Sequence, residues 1–244
     1  MLTEVQKIKK EIREKVWEAL SREGVARFPG AFGRIPNFVG AEEAAERAAK
    51  LPEFRRAHYI KVNPDSPQFP LRVLALSQGK VLFMAVPRLR REKPFLKLDP
   101  ALLRVHPMRA ATIKGAFKYG LPVSLEEIPK LDLVITGCVA ATKEGARLGK
   151  GGGYTELELA LLQEAGAFGE ETPLLTTLHP LQIVDMIPLE DHDVTVDIIV
   201  TPGEILRPHG PKQRPRGILW EKLQEGQKQQ IPALQKLHPV SRET

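Results

Sequence analysis

The sequence predicts an α/β fold, in which helices cover both faces of a mixed, mainly parallel sheet. Three observations carry that expectation. Short apolar runs alternate with segments of helical spacing along most of the 244 residues, the order that builds layered α/β domains. One run, Leu133 to Ile135, is continuously apolar, as in a strand covered on both faces. A glycine-rich turn, Gly149-Lys150-Gly151-Gly152-Gly153, then leads into Tyr154 to Leu162, where Leu157, Leu161 and Leu162 share a helical face.

Taken in order, Thr3-Glu4-Val5-Gln6 reads as a capping box, and Val5, Ile8, Ile12, Val16 and Leu20 form one helical stripe. Lys9 and Arg13 lie four apart on that helix and so share a face, which is either a solvated basic face or an anion contact. Arg27 to Val39 reads as an ordered loop, and Ala41 to Leu51 as a helix. Strands are expected at His58 to Val62, Leu71 to Leu76 and Val81 to Val86, the last followed by the basic turn Pro87-Arg88-Leu89-Arg90-Arg91. His106 to Gly120 predicts one helix, and Pro173 to Leu178 another strand. His179 lacks a partner at metal-ligand or catalytic spacing and reads as structural. Glu190-Asp191-His192-Asp193, with Asp197 behind it, precedes an apolar strand. Such carboxylates suit Mg²⁺, a hard cation, or form an ordinary polar turn. From Arg207 the chain turns basic and proline-rich, so the expected organisation is an α/β domain over 1–206 and an extension over 207–244. Ile218 to Leu223, with Trp220, is expected to dock on the domain, and Gln224 to Thr244 to be loosely held.

The turn before Tyr154 is a device for anions. Glycine lets backbone N–H groups approach a ligand closely, and a helix start adds unmatched donors and partial positive charge. Arg147 and Lys150 would add full charges. Phosphate is the expected guest, with a plain flexible turn as the alternative. The spacing is neither that of a P-loop, because Gly151 follows Lys150, nor that of a dinucleotide fingerprint, because Tyr154 stands at its third glycine. A net charge of +6 and pI near 9.4 suit anionic partners. The single cysteine, Cys138, excludes an internal disulfide and reads as a small core residue. No apolar run is long enough for a membrane span, and a cytoplasmic location is the default expectation.

Arg147-Leu148-Gly149-Lys150-Gly151-Gly152-Gly153-Tyr154 resembles the Arg-Leu-Gly-x-Gly-x-Gly-Tyr-Tyr-Asp block of 5-formyltetrahydrofolate cyclo-ligases (methenyltetrahydrofolate synthetases), with Thr155-Glu156 in place of Tyr-Asp. Lys9 to Arg13, Phe83 to Arg88 and Asp193 to Asp197 resemble other blocks of that family. Arg34 to Gly40, Pro87 to Arg90 and Glu190 to Asp193 are most similar to its methenyltetrahydrofolate synthetase domain-containing branch. The resemblance implies a three-layer α/β sandwich and an ATP- and Mg²⁺-dependent conversion of 5-formyltetrahydrofolate to 5,10-methenyltetrahydrofolate. It further implies that Lys9, Arg13, Arg147, Lys150 and the amides of Gly149, Gly151, Gly152, Gly153 and Tyr154 face nucleotide phosphates. Arg88 would lie near folate and phosphate, Arg147 and Lys150 would neutralise charge at the reacting centre, and Glu156 and Asp193 would hold Mg²⁺. A reduced folate is then the expected substrate. A non-catalytic nucleotide- or folate-binding module stays open, as does the less favoured nucleic-acid binder using Arg88 to Arg91 and Lys212 to Arg216.

Overall fold

Neighbouring side chains along a strand point to opposite sides of a sheet, and in this chain both sides are apolar. The computed structural model describes residues 3–237. Its helices are α1 (Glu4–Arg22), α2 (Ala41–Ala49), α3 (Pro52–Arg56), α4 (Phe69–Ser77), α5 (Pro107–Ala110), α6 (Ile113–Tyr119), α7 (Tyr154–Glu164), α8 (Glu225–Gln230) and α9 (Pro232–Leu237). Its strands are β1 (Tyr59–Val62), β2 (Val81–Ala85), β3 (Phe95–Leu98), β4 (Leu121–Val123), β5 (Leu133–Ile135), β6 (Ala140–Ala141), β7 (Arg147–Leu148), β8 (Leu174–Thr177), β9 (Ile198–Val200) and β10 (Ile205–Leu206). Eight of them form one sheet in the order β10-β9-β8-β5-β1-β2-β3-β4, while β6 and β7 make a separate hairpin. β9, β8, β5, β1 and β2 run parallel, and β3, β4 and β10 are antiparallel edges.

Ile60, Val62, Leu82, Met84, Leu133 and Ile135 pack with Ala45, Phe54, Leu71, Ala75 and Ala116 of the helices on one face. Phe83, Val134, Leu174 and Ile199 pack with Leu157, Leu161 and Leu162 of α7 on the other. The three layers follow from that division. α1 lies outside them, burying Val16 and Leu20 against Ile35, Ala140 and Leu148 of the hairpin region.

β1 connects to β2 through α4 on one face, and β5 connects to β8 through α7 on the other, in opposite directions along the sheet. Strand order therefore reverses between β1 and β5. In parallel sheets that reversal opens a crevice beyond the strands' carboxyl ends, and the glycine-rich turn ends beside it.

Several expectations need correction. Leu71 to Leu76 is helix α4, not a strand, and its buried residues Leu71, Arg72, Ala75 and Leu76 recur at helical spacing. A short apolar run cannot decide between the two states, and Pro70 in the first turn was the helix signal. The helix expected over His106 to Gly120 is two, because Thr112 caps α6 by accepting from Gly115 N at 2.8 Å. The edge strands β3 and β4 carried no strong pattern. Beyond Arg207 the chain is well anchored: Arg214 donates to Thr195 O at 2.8 Å, and Trp220 packs against the α7-side core. The loosely held tail is not found over α8 and α9, since Ile231 and Leu234 are each 1% exposed in that same core. Residues 238–244 of that expectation lie outside the described residues. Among the described residues, no helix is long and apolar enough to cross a membrane.

Candidate functional site

β5 delivers the chain to the crevice, the β6–β7 hairpin brings it back, and the glycine-rich turn follows β7 directly. Gly151 (φ 100) and Gly153 (φ 64) occupy the left-handed region, which L side chains adopt only with strain. Gly153 is the N-cap of α7 and brings no side-chain cap, so the first-turn amides are left for another acceptor. Gly152 has ordinary backbone angles but is crowded: a Cβ there would meet Tyr154 Cδ2 at 3.0 Å. A Cβ at Gly151 would lie 3.5 Å from Arg13 Cζ.

Cations gather round this turn from two elements. Arg13 of α1 donates from Nε to Gly149 O at 2.7 Å. Arg147 of β7 is almost wholly buried; its Nη1 donates to Gly137 O at 3.1 Å, and its Nη2 pairs with Glu156 of α7. Its buried Nε has no hydrogen-bond partner among the described residues. Burial lowers the pKa of both arginines. For Arg13 the charge of Asp193 opposes that effect and the charge of Arg147 adds to it, so the three groups lie within electrostatic reach. Lys150 is exposed and stands 3.8 Å from Asp65, which follows β1 across the crevice.

The remaining candidates are already paired. Lys9 is buried on α1, with Nζ 2.5 Å from Asp193 Oδ2 and 2.9 Å from Glu190 Oε2. Glu190 N also donates to Asp193 Oδ2, at 2.7 Å. Each carboxylate assigned to metal is thus held by a cation assigned to phosphate, Asp193 by Lys9 and Glu156 by Arg147. Among the described residues, no group of three or more histidine, cysteine or acidic side chains is placed to hold a metal. That donor set does not fit a resident ion. It fits Mg²⁺ entering with phosphates, since that ion keeps several waters and takes one or two carboxylates plus phosphate oxygens.

Other residues singled out in the sequence fall elsewhere. Arg88 lies in the turn Pro87–Leu89 after β2, at φ 57 and exposed, and forms no ion pair with this cluster among the described residues. Asp197 sits at the amino ends of β8 and β9, at the opposite end of the strands from the crevice, where it accepts from Leu174 N at 2.7 Å and pairs with Arg214. It joins β8 to the segment before β9 and lies away from Glu156 and Asp193. Lys212 also reaches Asp197, at 3.7 Å, so two of the three cations of the expected basic arm pair within the fold, while Arg216 stays exposed. Cys138 is buried, with its thiol pushed up to about 11 by burial, and His179 caps a turn by accepting from Leu181 N at 3.2 Å. Both are structural.

Sequence reasoning missed Asn63 and Asp65, which follow β1 at the crevice, and the buried pair Lys61–Glu158 beneath α7. A lysine inside the apolar run Tyr-Ile-Lys-Val was the one available signal.

The family model of the 5-formyltetrahydrofolate cyclo-ligase family matches residues 5–202. The chain is 40% identical over 239 residues to a methenyltetrahydrofolate synthase domain-containing protein of Bos taurus, covering 94% of this chain and 61% of that protein. It is 25% identical over 171 residues to the 5-formyltetrahydrofolate cyclo-ligase of Escherichia coli (strain K12), covering 67% and 88%. The chain thus spans 61% of the length of its Bos taurus relative. The NMR structure of Aquifex aeolicus 5,10-methenyltetrahydrofolate synthetase superposes with a TM-score of 0.54 at 22% identity, covering 87% of this chain and 99% of that one, a likeness of fold. With the family model running through β1, the glycine-rich turn and β9, the chain belongs to the 5-formyltetrahydrofolate cyclo-ligase family.

Proposed function

We propose that the chain is an ATP-dependent ligase that closes a formylated reduced folate, 5-formyltetrahydrofolate, to the 5,10-methenyl form with release of ADP and phosphate. One observation carries this reading: an uncapped helix start, preceded by a glycine turn and ringed by Arg13, Arg147 and Lys150, stands at the crevice where the strand order reverses. Bound MgATP would supply a phosphoryl group that activates the formyl oxygen for attack by the folate N10 and then leaves as phosphate. The chain's own residues bind and neutralise. The α7 amides and Lys150 receive phosphate oxygens, Arg13 and Arg147 offset the charge, and Asp193 or Glu156 gives up its cation to hold Mg²⁺. Catalysis of this kind is positioning and electrostatics, with no covalent nucleophile, and the buried thiol of Cys138 agrees with that. The nucleic-acid alternative keeps Arg88, Arg90, Arg91 and Arg216 exposed but loses Arg214 to its buried pair with Asp197.

The experiment is titration of the purified chain with MgATP. Binding weakened on the order of tenfold in Lys150→Ala, a loss of about 1.4 kcal/mol, supports the reading. Equal affinity in wild type and variant removes the turn from the nucleotide site.

A further inference from the structure

Lys61 of β1 and Asn63 and Asp65 just after it are three polar residues two apart, and each faces α7 or the turn before it. Lys61 Nζ lies 2.5 Å from Glu158 Oε2. Asn63 Nδ2 donates to Thr155 Oγ1 at 3.4 Å. Asp65 Oδ1 stands 3.8 Å from Lys150 Nζ. The first two rungs are joined, because Lys61 Nζ also donates to Asn63 Oδ1 at 2.5 Å. That bond fixes which way the Asn63 amide faces, and so presents its N–H to Thr155.

The first rung is costly where it stands. Lys61 is 0% exposed and Glu158 7%. Lys61 pairs in register with Phe83 of β2 and Val134 of β5, on the apolar face beneath α7. Taking two charges out of water there is unfavourable, and an apolar pair of similar volume would hold helix to sheet as well or better. An apolar contact, however, tolerates sliding, whereas an ammonium that pairs with a carboxylate and donates to an amide oxygen specifies one placement. α7 needs such placement, since its N-cap is a glycine that brings no side-chain bond of its own.

We propose that Lys61 and Glu158 are positioning residues: through Asn63 and Thr155 they fix the first turn of α7, and with it the glycine-rich turn, over the crevice. Neither residue touches the anion. The ordering itself does not depend on the proposed function, and only its effect on nucleotide affinity rests on that reading.

The test is the double variant Lys61→Met/Glu158→Leu, which removes both charges together, followed by amide hydrogen exchange and thermal melting. The expected result is a melting temperature kept or raised, with exchange at residues 150–156 faster on the order of tenfold, the sign of the first turn of α7 opening locally while the core holds. A folded double variant with wild-type exchange at 150–156 overturns the proposal. If that variant does not fold, Asn63→Ala decides in its place: faster exchange at the same amides supports the ladder, and unchanged exchange overturns it. MgATP titration of the same proteins separates the two readings. Wild type that binds no nucleotide contradicts the proposed function and leaves the exchange result to judge the ladder. Nucleotide binding that is weakened along with faster exchange supports both.

Discussion

At the residue scale, this chain keeps its most informative charges out of water. Lys9, Lys61 and Arg147 are each 5% exposed or less, and each is matched to a carboxylate. Their types were legible in the sequence, but their partners were not, because a partner is set by which elements the fold brings together. Lys9 and Asp193 lie 184 positions apart, and no local pattern joins them. The pairing also alters what a mutation reports. Lys9→Met strands Asp193 and Glu190, so we expect a loss of about 3–5 kcal/mol in chemical denaturation, together with any loss of binding. Lys150→Ala, at an exposed side chain, is the cleaner probe, with the melting temperature unchanged. Cys138 gives a pH prediction. Its folded thiol sits at about 11 against an ordinary 9.0, chiefly through burial. The unfolded chain therefore ionises first, so stability held below pH 9 is lost as pH rises toward 11. Denaturation midpoints measured across that window check the sign, and a flat profile would contradict the burial.

At the element scale, the turn and α7 were the most legible part of the chain, since four glycines, a basic pair and a helical stripe coincide there. What the sequence did not separate was the work of the individual glycines. Gly151 is needed for its backbone angle, whereas Gly152 is only crowded by Tyr154. Gly151→Ala is therefore expected to cost about 1–2 kcal/mol and to weaken nucleotide binding more than Gly152→Ala does. Equal effects in a paired denaturation and titration series would contradict that assignment. α4 was misread for a related physical reason: six apolar-rich residues fit a strand or a helix equally well until tertiary packing selects one face. The ends of β1 were unreadable for the opposite reason, because Asn63 and Asp65 look like ordinary loop residues until α7 is placed above them.

At the scale of the whole molecule, the alternation of elements was enough to foresee a mainly parallel sheet covered on both faces, but not where its strand order reverses. That reversal depends on α4 and α7 lying on opposite faces, which the sequence marks only through pairings far apart. The segment after residue 206 shows the same limit. Its composition suggested an arm, yet Ile231 and Leu234 complete the core beneath α7. Ile231→Ala should cost about 2–5 kcal/mol, as for other fully buried aliphatic side chains, and a chain ending after Leu223 should lose stability by at least as much in urea. An unchanged midpoint would make the segment an appendage after all. The chain's membership of the cyclo-ligase family then gives this architecture its functional direction: a crevice at the reversal, flanked by the glycine-rich turn with Arg13, Arg147 and Lys150 and by residues following β1.

The central claim is that this crevice joins nucleotide chemistry to a formylated reduced folate. The most direct measurement is chromatographic detection of product after mixing the purified chain with 5-formyltetrahydrofolate, with and without MgATP. The account predicts 5,10-methenyltetrahydrofolate and ADP in equal amounts, only when both substrates are present, and on the order of tenfold less in Lys150→Ala. A chain that binds MgATP yet forms neither product would contradict it.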